Sequence, residues 1–193
     1  EGVRSVLPDC TVKKVCMADG GEGTAETLVS SLRGEWVDVE VLDPLMRPIH
    51  ARYGVVDDGR TAVIEMASAS GLTLLTEEER NPLKTSTYGT GQLITDALQR
   101  GCRKLLIGIG GSATNDAGTG MLSALGFRFP DAEGNLLHGC GESLEKIASI
   151  DSSHILPELE SVEITVACDV TNPFCGPCGA AYVFAPQKGA NDA

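Results

Sequence analysis

The sequence predicts an α/β fold whose sheet includes antiparallel strands. Short apolar runs alternate with stretches of helical periodicity, the pattern of a sheet flanked by helices. Two segments alternate apolar and polar residues with period two, WVDVEVL at 36–42 and IHARYGVV at 49–56, and the turn DDGR at 57–60 leads into another apolar run. Because tight turns join antiparallel strands, these segments predict an antiparallel meander that ends near residue 66.

The part before the meander predicts helix, strand and helix around a glycine-rich loop. In order these elements are a helix end at 1–7, a strand at 12–17, the loop ADGGEGT at 18–24 and a helix at 24–33. Gly34 ends the last helix, and the sequence changes character directly after it. We therefore place a domain boundary here, with residues 1–35 in one domain and residues 36–193 in a second.

The part after the meander predicts further alternation of helices and strands. The predicted elements are a helix start at 76–80, a helix at 91–100, a strand at 104–109, a helix at 117–125, a hairpin at 127–137, and strands at 161–168 and 180–185. The helix at 91–100 has an apolar stripe and ends at Gly101. Because the sequence opens inside a helix and closes after a turn at 186–189, we expect it to be part of a longer chain.

Composition and charge exclude several classes of partner. The net charge is −12 and the isoelectric point is about 4.6, so nucleic acid and acidic membrane surfaces would repel the protein. No apolar segment approaches the roughly 18 residues that span a bilayer. Seven cysteines, an odd number, several of them in apolar runs, favour free thiols and a cytoplasmic location over a disulfide framework.

Carboxylates follow several predicted strands at the point where each strand ends. They are Asp19 and Glu22 after the first strand, Glu65 after the meander, and Asp116 and Asp169 after the two later strands. In open α/β sheets ligands bind beyond the carboxyl ends of the strands, where loops converge. We therefore expect these acids to share one rim.

The loop IGIGGSATNDAGTG at 107–120 permits three interpretations. Residues 108–113 fit the loose dinucleotide pattern G-x-G-x-x-A, although a hairpin rather than a clean strand follows the next helix. A tight turn with Asn115 or Asp116 as helix N-cap is the structural interpretation. An anion-binding turn is favoured, because backbone N–H groups at a helix start bind phosphate or carboxylate, and Ser112 and Thr114 add hydroxyl donors.

Other short motifs have alternatives that the residues leave open. The CGPC motif at 175–178 resembles a thioredoxin-type redox site, but a strand-like run rather than a long helix follows it. Asp19 and Glu22 could hold Mg²⁺ or belong to a structural turn. Glu65 is either salt-bridged or part of a site, because an unpaired buried carboxylate is costly. Lys188 is either a solvated cation or a phosphate anchor.

Six segments together resemble the type 1 glycerate kinase family. They are ADGGEGT at 18–24, IEMASASGL at 64–72, TGQLI at 90–94, IGIGGSATND at 107–116, ACDVTN at 167–172 with Pro173 behind it, and APQKGA at 185–190. The resemblance covers essentially all of the sequence. It implies two α/β domains, a Rossmann- or flavodoxin-like one, represented here by a piece, and an inserted mixed α/β domain.

The resemblance also implies an activity, an ATP-dependent kinase that phosphorylates D-glycerate, with 2-phosphoglycerate favoured. In that hypothesis Asp169 or Asp116 accepts the hydroxyl proton or holds Mg²⁺, and Asp19 and Glu22 serve the metal. The remaining predicted site residues bind substrate or phosphate: Gly110, Gly111, Ser112, Ala113, Thr114, Asn115, Glu65 and Lys188. Homo-oligomerisation is left open. The alternative function is a dinucleotide-dependent or dithiol oxidoreductase.

Overall fold

The computed structural model describes residues 2–12, 21 and 23–191. The helices are α1 (Gly2–Val6), α2 (Thr24–Leu32), α3 (Ala67–Ser70), α4 (Tyr88–Gln99), α5 (Thr119–Ala124) and α6 (Ala180–Phe184). The strands are β1 (Glu35–Leu42), β2 (Pro48–Val56), β3 (Thr61–Glu65), β4 (Lys104–Gly108) and β5 (Glu163–Ala167). Short 3₁₀ turns span Leu72–Leu74, Gly141–Lys146, Pro157–Glu160 and Pro186–Lys188. Nearly all of the strand predicted at 12–17, and both Asp19 and Glu22, lie outside the described residues.

The five strands form one mixed sheet in the order β1-β2-β3-β4-β5. The first three strands pair antiparallel, and β3, β4 and β5 pair parallel. This arrangement confirms the predicted α/β class with antiparallel strands. The antiparallel half is the meander, and α4 provides the long crossover that a parallel β3–β4 pair requires.

Helices cover both faces of the sheet because strand side chains alternate between faces. Ile64 and Leu105 join the larger core cluster, which includes the buried stripe of α4. Val63 and Leu106 point to the other face, where they pack with Ala25 and Val29 of α2. Each fully buried aliphatic side chain of this kind stabilises the fold by about 1.5–3 kcal/mol. Helix α2 thus packs on the sheet, while the domain boundary proposed near residue 35 stays a prediction.

Helices α4 and α5 approach closely at Gly91. A Cβ atom at this position would meet the backbone carbonyl of Met121 and would lie 2.7 Å from the Cβ of Ala124. Glycine is therefore required for the contact between these two helices. The contact matters for the site because the loop before α5 is the glycine-rich loop 107–120.

Two sequence predictions of local structure are wrong. Residues 180–185 form helix α6 rather than a strand, because a short apolar run does not distinguish strand from helix and no strand pairs with it in the described residues. Residues 77–79 form a turn rather than a helix, although Glu79 binds the backbone N–H of Thr76 as it would at a helix start. The predicted hairpin at 127–137 is a turn closed by a single bridge between Pro130 and Leu136.

Strand β5 lies at the edge of the sheet and is poorly covered. Ile164 and Val166 are about half exposed, at 48% and 51%. The described cysteines are all free thiols; Cys102 and Cys140 are buried, whereas Cys168 is exposed despite its apolar neighbours. Among the described residues, no helix is both long and apolar enough to cross a membrane.

Candidate functional site

The carboxyl ends of the three parallel strands lie side by side. Glu65, Gly108 and Ala167 are register partners across β3, β4 and β5. The segments that carry Glu65, Asp116 and Asp169 therefore leave the sheet at the same edge, as the sequence predicts. The loop that follows the first predicted strand and carries Asp19 lies outside the described residues at that position.

Glu65 connects this edge to the start of helix α2. Its Oε1 accepts a hydrogen bond of 2.8 Å from the backbone N–H of Ala25. A carboxylate is favourable at a helix N-terminus because the first N–H groups have no partner within the helix. Glu65 forms no ion pair with the described residues. The hydrogen bond from Ala25 places Glu65 directly beside Thr24, the last residue of the loop 18–24.

The glycine loop turns back along the segment that follows β3. The N–H of Leu72 donates to the Gly111 carbonyl at 2.9 Å, and the N–H of Ala113 donates to the Ser70 carbonyl at 2.8 Å. Gly111 has a φ of 72°, which favours glycine. The N–H of Ala113 is thus used within the fold and is not free for an anion. Within the described part of the chain, the N–H groups of Gly110, Gly111 and Ser112 have no acceptor.

Asp116 is buried, with 2% of its surface exposed, and its carboxylate accepts four hydrogen bonds. Oδ2 accepts from the backbone N–H and the hydroxyl of Thr87 and from the N–H of Gly120, at 2.7–3.1 Å. Oδ1 accepts from the N–H of Gly118 at 3.1 Å. One carboxylate therefore joins the starts of α4 and α5. Two of these donors lie at the start of α5, but the N-cap residue of that helix is Gly118, so the prediction of Asn115 or Asp116 as its N-cap is wrong.

Lys188 is buried against the glycine loop. Its Nζ donates to the Ser112 hydroxyl at 2.8 Å and to the Thr114 carbonyl at 2.7 Å. Burial lowers the pKa of Lys188, and the nearby Asp116 carboxylate opposes that shift. The prediction of a solvated loop cation is therefore wrong; Lys188 brings a positive charge directly to the loop 107–120.

Two cavities adjoin the glycine loop, and Asn115 lines both of them. The first has a volume of about 490 Å³ and lies among apolar side chains of β4, β5, α4 and α5, with Asp116 at one side. The second has a volume of about 610 Å³ and lies between residues 80–83 and the segment 181–191. Both volumes are in the range of small-molecule sites. Asn115 itself is exposed, so its amide can reach a ligand in either cavity.

Asp169 and the CGPC motif lie in the segment after β5. Asp169 is exposed and forms no ion pair or side-chain hydrogen bond with the described residues. Cys175 and Cys178 are exposed free thiols. The helix after them, α6, has only five residues, so the motif lacks the long helix of a thioredoxin-type site.

Sequence reasoning missed the buried hydroxyl run before α4. Thr85 donates to the Ala113 carbonyl, Ser86 to the Gly139 carbonyl, and Thr87 to Asp116. All three residues are at most 2% exposed. The signal in the sequence was the run KTSTYGT at 84–90, which places hydroxyls directly before a helix. The Thr85 and Thr87 hydroxyls hold the glycine loop, whereas Ser86 binds a segment outside it.

The sequence of the whole chain matches one family model. Residues 1–193 match the model described as the glycerate kinase family. The chain belongs to the glycerate kinase family. Glycerate kinase from Bacillus subtilis is 51% identical over 189 residues, which cover 98% of this chain and 50% of that protein. Glycerate 2-kinase from Escherichia coli is 48% identical over 193 residues, 100% of this chain and 51% of that protein.

A solved structure gives the same result for the fold. The crystal structure of a protein from Salmonella typhimurium LT2, named as a candidate glycerate kinase 2, matches with a TM-score of 0.89 and 51% identity. The match covers 99% of this chain and 51% of that chain. This chain therefore spans about half the length of the glycerate kinase family members it matches. These comparisons give no support to the dinucleotide or dithiol alternative.

Proposed function

We propose that the chain is part of an ATP-dependent kinase that phosphorylates D-glycerate, with 2-phosphoglycerate as the favoured product. The observation that carries this proposal is the 48% identity, over all 193 residues, to a protein named glycerate 2-kinase. The free thiols of the described cysteines support a cytoplasmic location, which is part of this proposal.

The glycine loop is proposed to bind an anionic group of a substrate. Gly110, Gly111 and Ser112 have N–H groups without an acceptor in the described part of the chain, and Asn115 adds an exposed amide. Thr114 and Ala113 contribute by shaping the loop, since the Thr114 carbonyl binds Lys188 and the Ala113 N–H binds Ser70. The Lys188 charge behind the loop favours an anion in front of it.

Asp169 is proposed as the acceptor of the proton from the glycerate hydroxyl. It is exposed at the strand edge that also carries the glycine loop, and none of the hydrogen bonds among the described residues occupies its carboxylate. Asp116 differs, because four donors already surround its carboxylate. We therefore propose that Asp116 acts by holding the loop in place, and that Asp169 is the stronger candidate for the base.

A metal ion is proposed at the loop 18–24, with Asp19 and Glu22 as ligands. Their carboxylates are the hard oxygen donors that Mg²⁺ prefers. Glu65, which binds the first turn of α2, stays proposed for substrate or phosphate binding. When bound, Mg²⁺ and ATP would supply charge neutralisation and the phosphoryl group. The chain's own residues would orient the hydroxyl, accept its proton and exclude water.

A coupled ADP-release assay with D-glycerate and MgATP tests the proposal. It should be run on the 193-residue chain and on an extended version that carries the remaining sequence of a full-length relative. We expect glycerate-dependent ADP release from the extended version. ADP release that does not depend on D-glycerate would contradict the substrate, and no release from a folded extended version would contradict the activity.

A further inference from the structure

One wall of the second cavity carries an arginine that forms no ion pair with the described residues. Arg80 lines the cavity, and its Nε is fully buried without a hydrogen-bond acceptor among the described residues. It is the only buried side-chain nitrogen or oxygen in the described part of the chain that lacks a partner. Buried polar groups are nearly always paired, so this exception calls for a physical reason.

The acids near Arg80 do not provide that partner. Glu79 is engaged by Arg47, whose Nε and Nη1 bind Asp43 and Glu79 at 2.6 Å. Glu78 is close enough for the Arg80 charge to contribute to lowering its pKa, mainly a result of hydrogen bonds, but no ion pair joins the two side chains. The Nε of Arg80 therefore has no acceptor among the described residues, although Arg80 lines a cavity large enough for a ligand.

The rest of the cavity wall suits an anion. None of the described residues that line it is an aspartate or glutamate, although the chain contains 27 acidic residues. The lining residues include three asparagines, Asn81, Asn115 and Asn191. The Asn81 oxygen accepts a hydrogen bond of 3.0 Å from the N–H of Leu83, which leaves the amide NH₂ of Asn81 as a donor.

The cavity is also built into the fold at its other wall. Gly189, with a φ of 94°, packs so closely on Arg80 that a Cβ atom would lie 2.7 Å from the Arg80 carbonyl carbon. Gly189 directly follows Lys188, which binds the glycine loop. Arg80 and Asn115 line the same cavity, and Lys188 joins the residue that packs on Arg80 to the glycine loop that carries Asn115.

We propose that this cavity is a subsite for an oxyanion carried by a substrate, with Arg80 supplying the charge and Asn81 and Asn115 supplying amide donors. The guanidinium fork matches a carboxylate or a phosphate in two parallel hydrogen bonds. Given the proposed kinase function, on which this inference rests, the oxyanion is either the carboxylate of the hydroxy acid or a phosphate of the nucleotide.

Direct binding measurements test the subsite. Dissociation constants for D-glycerate, ATP and inorganic phosphate are measured by calorimetry on the extended version, for the wild type, Arg80→Gln and Arg80→Lys. Arg60→Gln is the matched control, because Arg60 is exposed at the opposite end of β3. We expect Arg80→Gln to weaken one ligand about tenfold or more, since a hydrogen bond to a charged group is worth about 1.5–3 kcal/mol. Arg60→Gln should leave all three constants unchanged.

The pattern of the loss identifies the source of the oxyanion. Weaker binding of D-glycerate alone assigns the carboxylate, and weaker binding of ATP and phosphate assigns the nucleotide. Arg80→Lys keeps the charge without the fork and should fall between the wild type and Arg80→Gln. Unchanged constants for all three ligands in Arg80→Gln, or a wild type that binds none of them, would overturn the subsite.

Stability and turnover separate this proposal from the kinase function. Without ligand, Arg80→Gln should melt no lower than the wild type, because it removes a buried donor that has no partner among the described residues. If Arg80→Gln does not fold, the subsite is overturned when both Arg80→Lys and Asn115→Ala bind all three ligands as the wild type does.

The two proposals can fail separately. Binding of D-glycerate that depends on Arg80, without any ADP release, supports the subsite and contradicts the kinase function. Turnover by Arg80→Gln with an unchanged KM for both substrates supports the kinase function and contradicts the subsite.

Discussion

The Nζ of Lys188 lies 2.8 Å from the hydroxyl of Ser112, a residue 76 positions earlier in the chain. This bond, with that to the Thr114 carbonyl, ties the segment after α6 to the glycine loop. The cation is buried, so its attraction for an anion in front of the loop is only weakly screened by salt. The position of the loop and the position of the charge are therefore set by the same contact.

The burial of Lys188 predicts a pH dependence of stability. Its pKa in the fold is lowered below the ordinary 10.5, so between these two values the unfolded chain binds more protons than the folded chain. In that window the free energy of unfolding contributed by this group rises with pH. Replacing Lys188 with Met removes the contribution.

Urea denaturation from pH 7 to 10.5 checks this prediction. The wild type should gain stability relative to Lys188→Met as the pH rises through the window. Tyr53 and Cys102, whose pKa values burial raises, are present in both proteins and cancel in the difference. A difference between the two proteins that does not change with pH would contradict the assignment.

Replacing Asp116 with Asn should destabilise the fold strongly. An amide would place an NH₂ group against backbone N–H donors at a residue that is only 2% exposed. We expect a loss of about 2–4 kcal/mol in the free energy of unfolding, because buried donors lose an ionised acceptor. Asp58→Asn is the matched control, since Asp58 is exposed in a turn with a φ of 52°, which Asn tolerates. A loss below 1 kcal/mol, within the range of an ordinary neutral hydrogen bond, would argue against the network.

Replacing Asp169 with Asn should affect turnover and leave stability intact. Asp169 is exposed and its side chain binds no described residue, so the substitution should not change the free energy of unfolding. If it is the base, the turnover of the extended version should fall by about 10²–10⁴-fold. Both quantities are measured on the same preparation, by coupled assay and thermal melt. Near-normal turnover removes Asp169 from the mechanism.

Replacing Gly91 with Ala should separate helices α4 and α5. The added methyl would meet the backbone carbonyl of Met121, which cannot rotate away as a side chain would. We expect a loss of about 1–3 kcal/mol or more, the range for overpacked cores, visible as a lower thermal midpoint. Gly2→Ala is the control, because nothing lies within 4 Å of that position. Equal midpoints for both variants would show that the helices adjust freely.

Much of the fold followed from the sequence, because local periodicity decides where strands and helices form. The alternation at 36–42 and 49–56 indicated antiparallel strands, and the short apolar runs at 104–109 and 161–168 indicated the later ones. The edge of the sheet that carries Glu65 and Gly108 was also predictable, since parallel strands end at the same side.

The missing information concerned contacts between distant segments. That Thr87 binds Asp116 depends on the meeting of two helix starts, and no local pattern encodes this. The unpartnered nitrogen of Arg80 has no sequence signal, because pairing depends on every neighbouring side chain. Helix α6 was mistaken for a strand because its five apolar residues satisfy either periodicity.

The open side of β5 has a practical consequence for anyone who handles this chain in isolation. Among the described residues, no strand pairs with the outer side of β5, and its Ile164 and Val166 are half exposed, so another extended peptide can align there. Concentrated samples should therefore aggregate by strand addition before they unfold. Replacing Thr165, which is exposed on the same strand, with lysine should reduce aggregation by strand addition.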